Sequence, residues 1–192
     1  MSTSIKHPRE AVLPIAQRLV EALRPYCRRI EVAGSLRRRM PAVGDIEIVA
    51  LPIRPTTLFG EELNDRPTDL DRFLDAHGVQ FVKRGAKYQR FAYGRYEVDL
   101  FLTTSANWGS IFTIRTGSWE FSKWLVTSVV LGGAAPDCVQ FREGRLYADG
   151  RLLATPEEED VFAAIGLSWI PPIERTGPII GATRIEPVWN FA

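Results

Sequence analysis

The stretch from Glu31 to Leu51 constrains this chain more than any other. It reads as a short β-branched strand, a Gly34-Ser35 corner, the arginine triplet Arg37, Arg38 and Arg39, a Pro41/Gly44 turn, and a second apolar strand carrying two carboxylates. Side chains alternate across a strand, so Asp45 and Glu47 share one face while Ile46, Ile48 and Val49 help fill an interior. Two acids side by side repel and call for a compensating cation. Hard divalent ions such as Mg²⁺ meet that need, sharing their shell with phosphate oxygens and water. Gly34 and Ser35 offer backbone N–H groups and a hydroxyl at what reads as a helix N-terminus, a position suited to an anion. Alternating acids most often mark nothing more than a solvated strand face. Their company here, a Gly-Ser corner upstream and a distant strand ending in another acid, points instead to metal-assisted phosphoryl or nucleotidyl transfer.

A chain of 192 residues with 45% hydrophobic content can bury a core as one domain, or as a domain with a small appendage. The formal net charge of +1 does not announce a nucleic-acid binder. Distribution says more: residues 1–44 hold nine Lys/Arg against three Asp/Glu, a basic front half able to meet phosphates. Cys27 and Cys138 lack metal-ligand spacing and read as reduced structural thiols of a cytosol-like compartment. No apolar run approaches the length of a membrane span and Met1–His7 has no signal-peptide core, so a soluble, intracellular protein is expected.

Residues 8–24 show apolar positions Val12, Ile15, Leu19 and Leu23 at helical spacing, with Pro14 inside the pattern and Pro25 closing it. Strands follow over 28–33 and 44–51, then a proline-bearing loop over 52–67. Thr68 caps a helix that Gly78 ends. Strand patterns cover 79–83, 88–93 and 96–102, the last two as a hairpin about Gly94-Arg95. From Ser105 the character turns helical: 107–116, then a break and N-cap at Thr116-Gly117-Ser118, then 119–131. A small hairpin turns at 142–144, Thr155 reads as the cap of a last helix, and 167–192 reads as extended. This order is α+β rather than regularly alternating βαβ units. The expected organisation is a first lobe over 1–104 with a mixed or antiparallel sheet flanked by helices, then a small helical and β-hairpin lobe and tail over 105–192.

Gly34-Ser35-Leu36-Arg37-Arg38, Gly44-Asp45-Ile46-Glu47, Val98-Asp99-Leu100, Thr116-Gly117-Ser118 and Glu159-Asp160-Val161-Phe162 with Trp169 and Pro172 occur in that order. The series resembles the palm and thumb of family X DNA polymerases, the nucleotidyltransferases of DNA polymerase β type, over residues 8–176. The resemblance implies that Asp45, Glu47 and Asp99 are catalytic and ligate two Mg²⁺ or Mn²⁺ ions, with Asp99 nearest the attacking 3′-hydroxyl. It implies triphosphate contacts from Gly34, Ser35 and Arg38, with Gly44 admitting close backbone approach and Thr116, Gly117 and Ser118 completing the nucleotide site.

Several positions depart from the family pattern. Glu47 stands where Asp is commonest, which changes metal spacing. Ile114 and Arg115 replace the aromatic pair that packs under the incoming sugar, so sugar discrimination by that device is not expected and Arg115 is left to reach a phosphate or the template. Ser122 replaces a residue that bonds the nascent base pair and Val126 a basic one, while Lys123 stays basic; low fidelity is the expectation. Glu97 occupies the place of an arginine that supports the acids. Trp119, beside Gly117-Ser118, is placed to stack on a base, whereas His7 and His77 read as surface groups.

The resemblance implies a DNA-directed DNA polymerase that extends a primer, fills a short gap or acts in repair-like synthesis, taking dNTPs and releasing pyrophosphate. Its partners would be primer-template or gapped DNA, the protein working as a monomer with a possible recruiting protein. The pattern begins at the palm, with no lyase lobe ahead of Pro8, so grip on DNA is expected from the basic N-terminal helix and loops. So short a chain suits a viral or phage genome. A template-independent transferase, or one acting on RNA or another acceptor, is the alternative. A non-catalytic nucleic-acid-binding module would require broken acids, and all three positions are carboxylates.

Overall fold

The computed structural model describes residues 5–59, 62, 63 and 66–192. The loop expected over 52–67 therefore lies partly outside the described residues, as does the start of the N-terminal segment. Elements follow in the order β1 (His7–Pro8), α1 (Arg9–Leu23), β2 (Cys27–Val32), α2 (Gly34–Arg37), β3 (Ala42–Val43), β4 (Ile46–Pro52) and α3 (Asp69–Ala76). Then come β5 (Phe81–Arg84), β6 (Tyr88–Tyr93), β7 (Tyr96–Leu102), α4 (Trp108–Thr116) and α5 (Trp119–Val126). The chain ends with β8 (Val139–Arg142), β9 (Arg145–Ala148), β10 (Arg151–Leu153) and α6 (Glu158–Ala164). It is a mixed α+β protein, and among the described residues no helix is long and apolar enough to cross a membrane.

Two compact units form: residues up to Val32 with Pro41–Thr103, and Ala33–Met40 with Thr104–Ala192. The Gly-Ser corner and arginine triplet thus cluster with the second unit although their sequence neighbours lie in the first.

In the first unit a five-stranded sheet runs β2-β4-β7-β6-β5. Only β4 and β7 pair in parallel, which the intervening α3, β5 and β6 allow, since a parallel pair needs a long crossover. Register sorts the side chains cleanly. Ile48, Leu100 and Gln89 are mutual partners on one face, and Glu47, Asp99 and Arg90 are mutual partners on the other. Ile46, Ile48, Val98 and Leu100 are fully buried. Helix α1 presents Val12, Ala16, Leu19, Val20 and Leu23 as its buried stripe and packs against β2 and β4. Pro14 sits inside this helix past its first turn, so the bond that an N–H there would make to the Glu10 carbonyl is missing. Helix α3 starts as expected at Thr68, whose hydroxyl accepts from Asp71 N–H while the Asp71 carboxylate accepts from Thr68 N–H. The pairing of β1 with β3 was not anticipated; two residues a side carry too little periodicity to read.

In the second unit α4 and α6 pack together, and a three-stranded antiparallel sheet β10-β9-β8 joins them. Phe121, Leu125, Leu146, Val161, Phe162 and Ile165 centre the core. Three expectations are corrected here. Helix α5 ends at Val126, not at residue 131, because Thr127 turns extended and Ser128 Oγ accepts from Val130 N–H, starting a separate 3-10 turn over Val129–Leu131. The hairpin gains a third strand, β10, after a turn in which Asp149 and Gly150 both take positive φ. Helix α6 starts at Glu158, not at Thr155: Thr155 N–H donates to Ala106 O, and the Asp160 carboxylate caps through Glu157 N–H.

Candidate active site

The candidate residues fall in two groups, one in each unit. In the first, Asp99 projects from the middle of β7 and is only 6% exposed. Parallel register sets Glu47 of β4 directly beside it, and antiparallel register sets Arg90 of β6 on its other side. Arg90 grips the carboxylate with both arms, Nε to Oδ1 at 2.6 Å and Nη2 to Oδ2 at 2.7 Å. The Tyr88 hydroxyl donates to the same Oδ1 at 2.7 Å. Such a bidentate, charge-assisted pair is among the stronger hydrogen bonds a protein makes. Arg90 also approaches Glu97 at 3.9 Å, so one guanidinium from β6 faces two acids of β7.

Asp45 lies one residue ahead of β4, half-buried, with Glu47 two residues on and also half-buried. Burial raises the Asp45 pKa, the Asp99 charge raises it further, and Arg90 offsets only part of that. Burial and the bond to Asp99 push the Tyr88 hydroxyl up to about 12, so it stays a donor at neutral pH. Asp99 bonding holds the Arg90 guanidinium more firmly protonated. Gly44 sits half-buried ahead of Asp45.

Among the described residues no three His, Cys, Asp or Glu side chains gather closely enough to hold a metal ion. The donors nevertheless fit a hard cation in type and in register: oxygen-only carboxylates, adjacent on one sheet face, with Asp45 underneutralised.

In the second unit Gly34 is buried and takes φ of +60°, a conformation that disfavours any side chain. This lets the chain leave β2 and enter the single turn of α2, with Ser35 half-buried beside it. Arg37 turns inward: its Nη1 donates to Thr116 Oγ1 and to Glu158 Oε1, both at 2.7 Å, and Nη2 to Glu158 Oε2 at 2.7 Å. Its guanidinium also lies over the Phe112 ring, 3.7 Å from the centroid. Arg38 Nη1 donates to the Thr116 carbonyl at 2.6 Å. Arg175, fully buried, bonds Glu158 from the other side at 2.5 and 3.3 Å. Burial alone would raise the Glu158 carboxyl, but hydrogen bonds from Arg37 and Arg175 outweigh it and hold the group below its ordinary range.

Thr116-Gly117-Ser118 has structural duties throughout. Thr116 receives Arg37, and Ser118 Oγ accepts from Phe121 N–H as the cap of α5. A Cβ on Gly117 would fall 2.4 Å from the Phe121 ring and 2.7 Å from Ser122 Oγ, so only glycine fits. Ser122 itself donates to the Ile114 carbonyl, and Ile114 packs against the core. Arg115 and Lys123 are exposed, and Trp119 is 72% exposed with Lys123 Nζ 5.1 Å from its ring centroid.

Sequence reasoning missed Arg90, Tyr88, Glu158 and Arg175. Alternation along β6 puts Tyr88 and Arg90 on one face and was a usable signal once the hairpin was seen. Nothing local marks Glu158 among its acidic neighbours.

Among family profiles, one described as the DNA polymerase beta thumb matches residues 113–176. No curated protein matches the chain. The matched segment takes in the Thr116-Gly117-Ser118 corner, α5, the three-stranded sheet, α6 and Arg175, and supports a thumb of the family X polymerase kind there.

Proposed function

We propose that the chain is a family X type DNA polymerase, transferring a nucleotidyl group from a dNTP to a primer 3′-hydroxyl with release of pyrophosphate. One observation carries the reading: Glu47 and Asp99 are registered neighbours on one sheet face, with Asp45 two residues from Glu47, in a chain whose later part matches a polymerase thumb. Asp45, Glu47 and Asp99 would hold the metal. Two Mg²⁺ or Mn²⁺ ions, when bound, lower the pKa of the attacking hydroxyl and offset charge on the leaving pyrophosphate. Arg90 and Tyr88 orient the Asp99 carboxylate through its hydrogen bonds. Gly34, Ser35 and Arg38 would receive the triphosphate with backbone N–H groups, a hydroxyl and a guanidinium, and Gly44 would allow its close approach. Thr116, Gly117 and Ser118 form the rigid corner from which α5 carries Trp119 and Lys123 toward bases and phosphates. DNA, primer-template or gapped, is the polymer substrate, and gap-filling or repair-like synthesis by a monomer is the simplest use. A soluble intracellular setting, of cellular or viral origin, fits such work.

Primer extension on recessed and gapped DNA with Mg²⁺ or Mn²⁺ tests this. Wild type should add nucleotides, and Asp99→Asn should lose more than the roughly 10–100-fold that a partner of a metal ligand typically costs. Full activity in Asp99→Asn, or none in wild type with either metal, ends the reading. A second reading, template-independent transfer or transfer to RNA or another acceptor, is favoured by Ile114 packing into the core while Arg115 is exposed, which leaves no aromatic sugar platform there. Incorporation that follows the template base excludes it.

A further inference from the structure

The opposite face of the sheet, away from the acids, holds a second polar site. A cavity of about 470 Å³ opens there within the first unit, a volume in the range of small-ligand sites. Arg54, Arg66 and Arg84 line it, from three separate parts of the chain. Gln89 and Arg84 are register partners across β5 and β6 and share this face, whereas Arg90 and Asp99 share the other.

Asp71 and Asp75 line the cavity as well, so three arginines face two acids. Arg84 is held by Asp75 in a two-armed pair at 2.6 and 2.9 Å. Arg66 makes no ion pair with any described residue, and Arg54 reaches Glu62 only at 4.0 Å. Two buried polar atoms in the wall also lack hydrogen-bond partners among the described residues: Arg54 Nε, a donor, and Gln89 Oε1, an acceptor. Gln89 is only 2% exposed, and its Nε2 donates to Asp71 Oδ1 at 2.7 Å. That bond fixes the amide orientation, because a carboxylate offers nothing for Oε1 to accept. Buried polar groups are normally satisfied, so an unmet donor and an unmet acceptor bordering one cavity mark a place where a ligand would be welcome. Between the charged walls Gly85, Ala86 and Leu102 leave a small apolar floor.

We infer that this cavity binds a phosphorylated nucleotide unit, either a free mononucleotide or the phosphorylated end of a strand, at a site separate from the acids. The arginines take the phosphate, which guanidinium groups match in geometry and charge. Gln89 Oε1 takes an N–H or O–H of the sugar or base, and the apolar floor takes the rest. A bare anion would answer the arginines but leave Gln89 and the floor unused. The site does not depend on the proposed polymerase reaction, since none of its residues belongs to the acid row.

Calorimetric titration of the full chain with inorganic phosphate, dAMP, and a single-stranded hexanucleotide carrying either a 5′-phosphate or a 5′-hydroxyl tests it. The expected result is that dAMP, the phosphorylated oligonucleotide or both bind at least tenfold more tightly than inorganic phosphate. A preference for the phosphorylated over the hydroxyl oligonucleotide assigns the site to strand ends; dAMP binding without that preference assigns it to free nucleotide. Arg66→Glu and Arg84→Gln, both at exposed side chains, should weaken binding at least tenfold with an unchanged circular dichroism spectrum. Gln89→Met should weaken dAMP more than phosphate, and Asp45→Asn should change neither. Inorganic phosphate binding as tightly as dAMP, no binding at all, or less than a twofold effect of Arg66→Glu and Arg84→Gln overturns the inference.

Discussion

Both units of the molecule bury a carboxylate in the grip of arginine, and the two settle in opposite ways. Glu158 of α6 is met by two guanidiniums, Arg37 and Arg175, and is held below its ordinary pKa. Around Asp99 the balance is reversed: Arg90 serves Asp99, approaches Glu97, and still leaves the nearby Asp45 raised by burial and by its acidic neighbour. Surplus positive charge makes the first acid a fastener. Around Asp99 one guanidinium faces several carboxylates, and Asp45 carries the unmet part of that charge. The same residue types thus meet opposite charge balances in the two units, and the local charges set the direction of each shift.

Breaking the fastener should give the largest change in stability. Glu158→Gln leaves Arg175, which is fully buried, without its charged partner, and removing one member of a buried pair typically costs about 3–5 kcal/mol. Chemical denaturation at neutral pH measures this, with a single transition lost or strongly shifted. The pH course has a definite sign. A carboxyl held below its unfolded value supplies stability above that value, here 4.5 for a glutamate, and loses it as pH falls through the folded one. The Glu158→Gln deficit should therefore shrink on acidification. A variant in which Glu158 and Arg175 both become apolar should recover much of the loss, and a full deficit in that double variant would mean that packing rather than charge holds the joint. A smaller break lies next to it. Gly109 of α4 packs so closely on α6 that a Cβ would fall 1.9 Å from the Glu157 carbonyl oxygen. Gly109→Ala should cost about 1–3 kcal/mol by overpacking, read in the same denaturation experiment.

The sequence made one half of this contrast readable and hid the other. Asp45 and Glu47 stood out because strand alternation assigns acids to a face without any knowledge of the fold, and Asp99 through the ordered motif series that resembles family X polymerases. The sheet that joins them was legible as strands but not as a register, because pairing β4 with β7 across some fifty residues leaves no local trace. Arg90 needed that register to be seen. The fastener was invisible for a stronger reason: Arg37, Glu158 and Arg175 are scattered along the chain, and each reads as an ordinary surface charge until the fold buries it. Helix ends failed where bonds outside the helix compete for the backbone, as at Ser128, whose Oγ accepts from Val130 N–H, and at Thr155, whose N–H donates to Ala106 O, since such bonds depend on neighbours that periodicity does not report.

The smallest effect sharpens the contrast most. Asp45→Asn removes a charge that the folded state accommodates poorly, so it should stabilise the metal-free protein at neutral pH by on the order of 1 kcal/mol, the scale of a single favourable substitution. Here the sign is opposite to that of Glu158. A carboxyl raised above its ordinary 3.8 contributes its full stability below that value and loses it as pH climbs through the raised one, so the advantage of Asn should grow from acid toward neutral pH. Mg²⁺ should then invert the order. An ion bound only by the folded state adds stability that rises with its concentration, and wild type has the ligand that Asn lacks. Thermal melts of both proteins with and without Mg²⁺ read this directly. If Asp45→Asn is no more stable than wild type without metal, the acids around Asp99 are already balanced, and Asp45 is a solvated turn residue rather than half of a cation site.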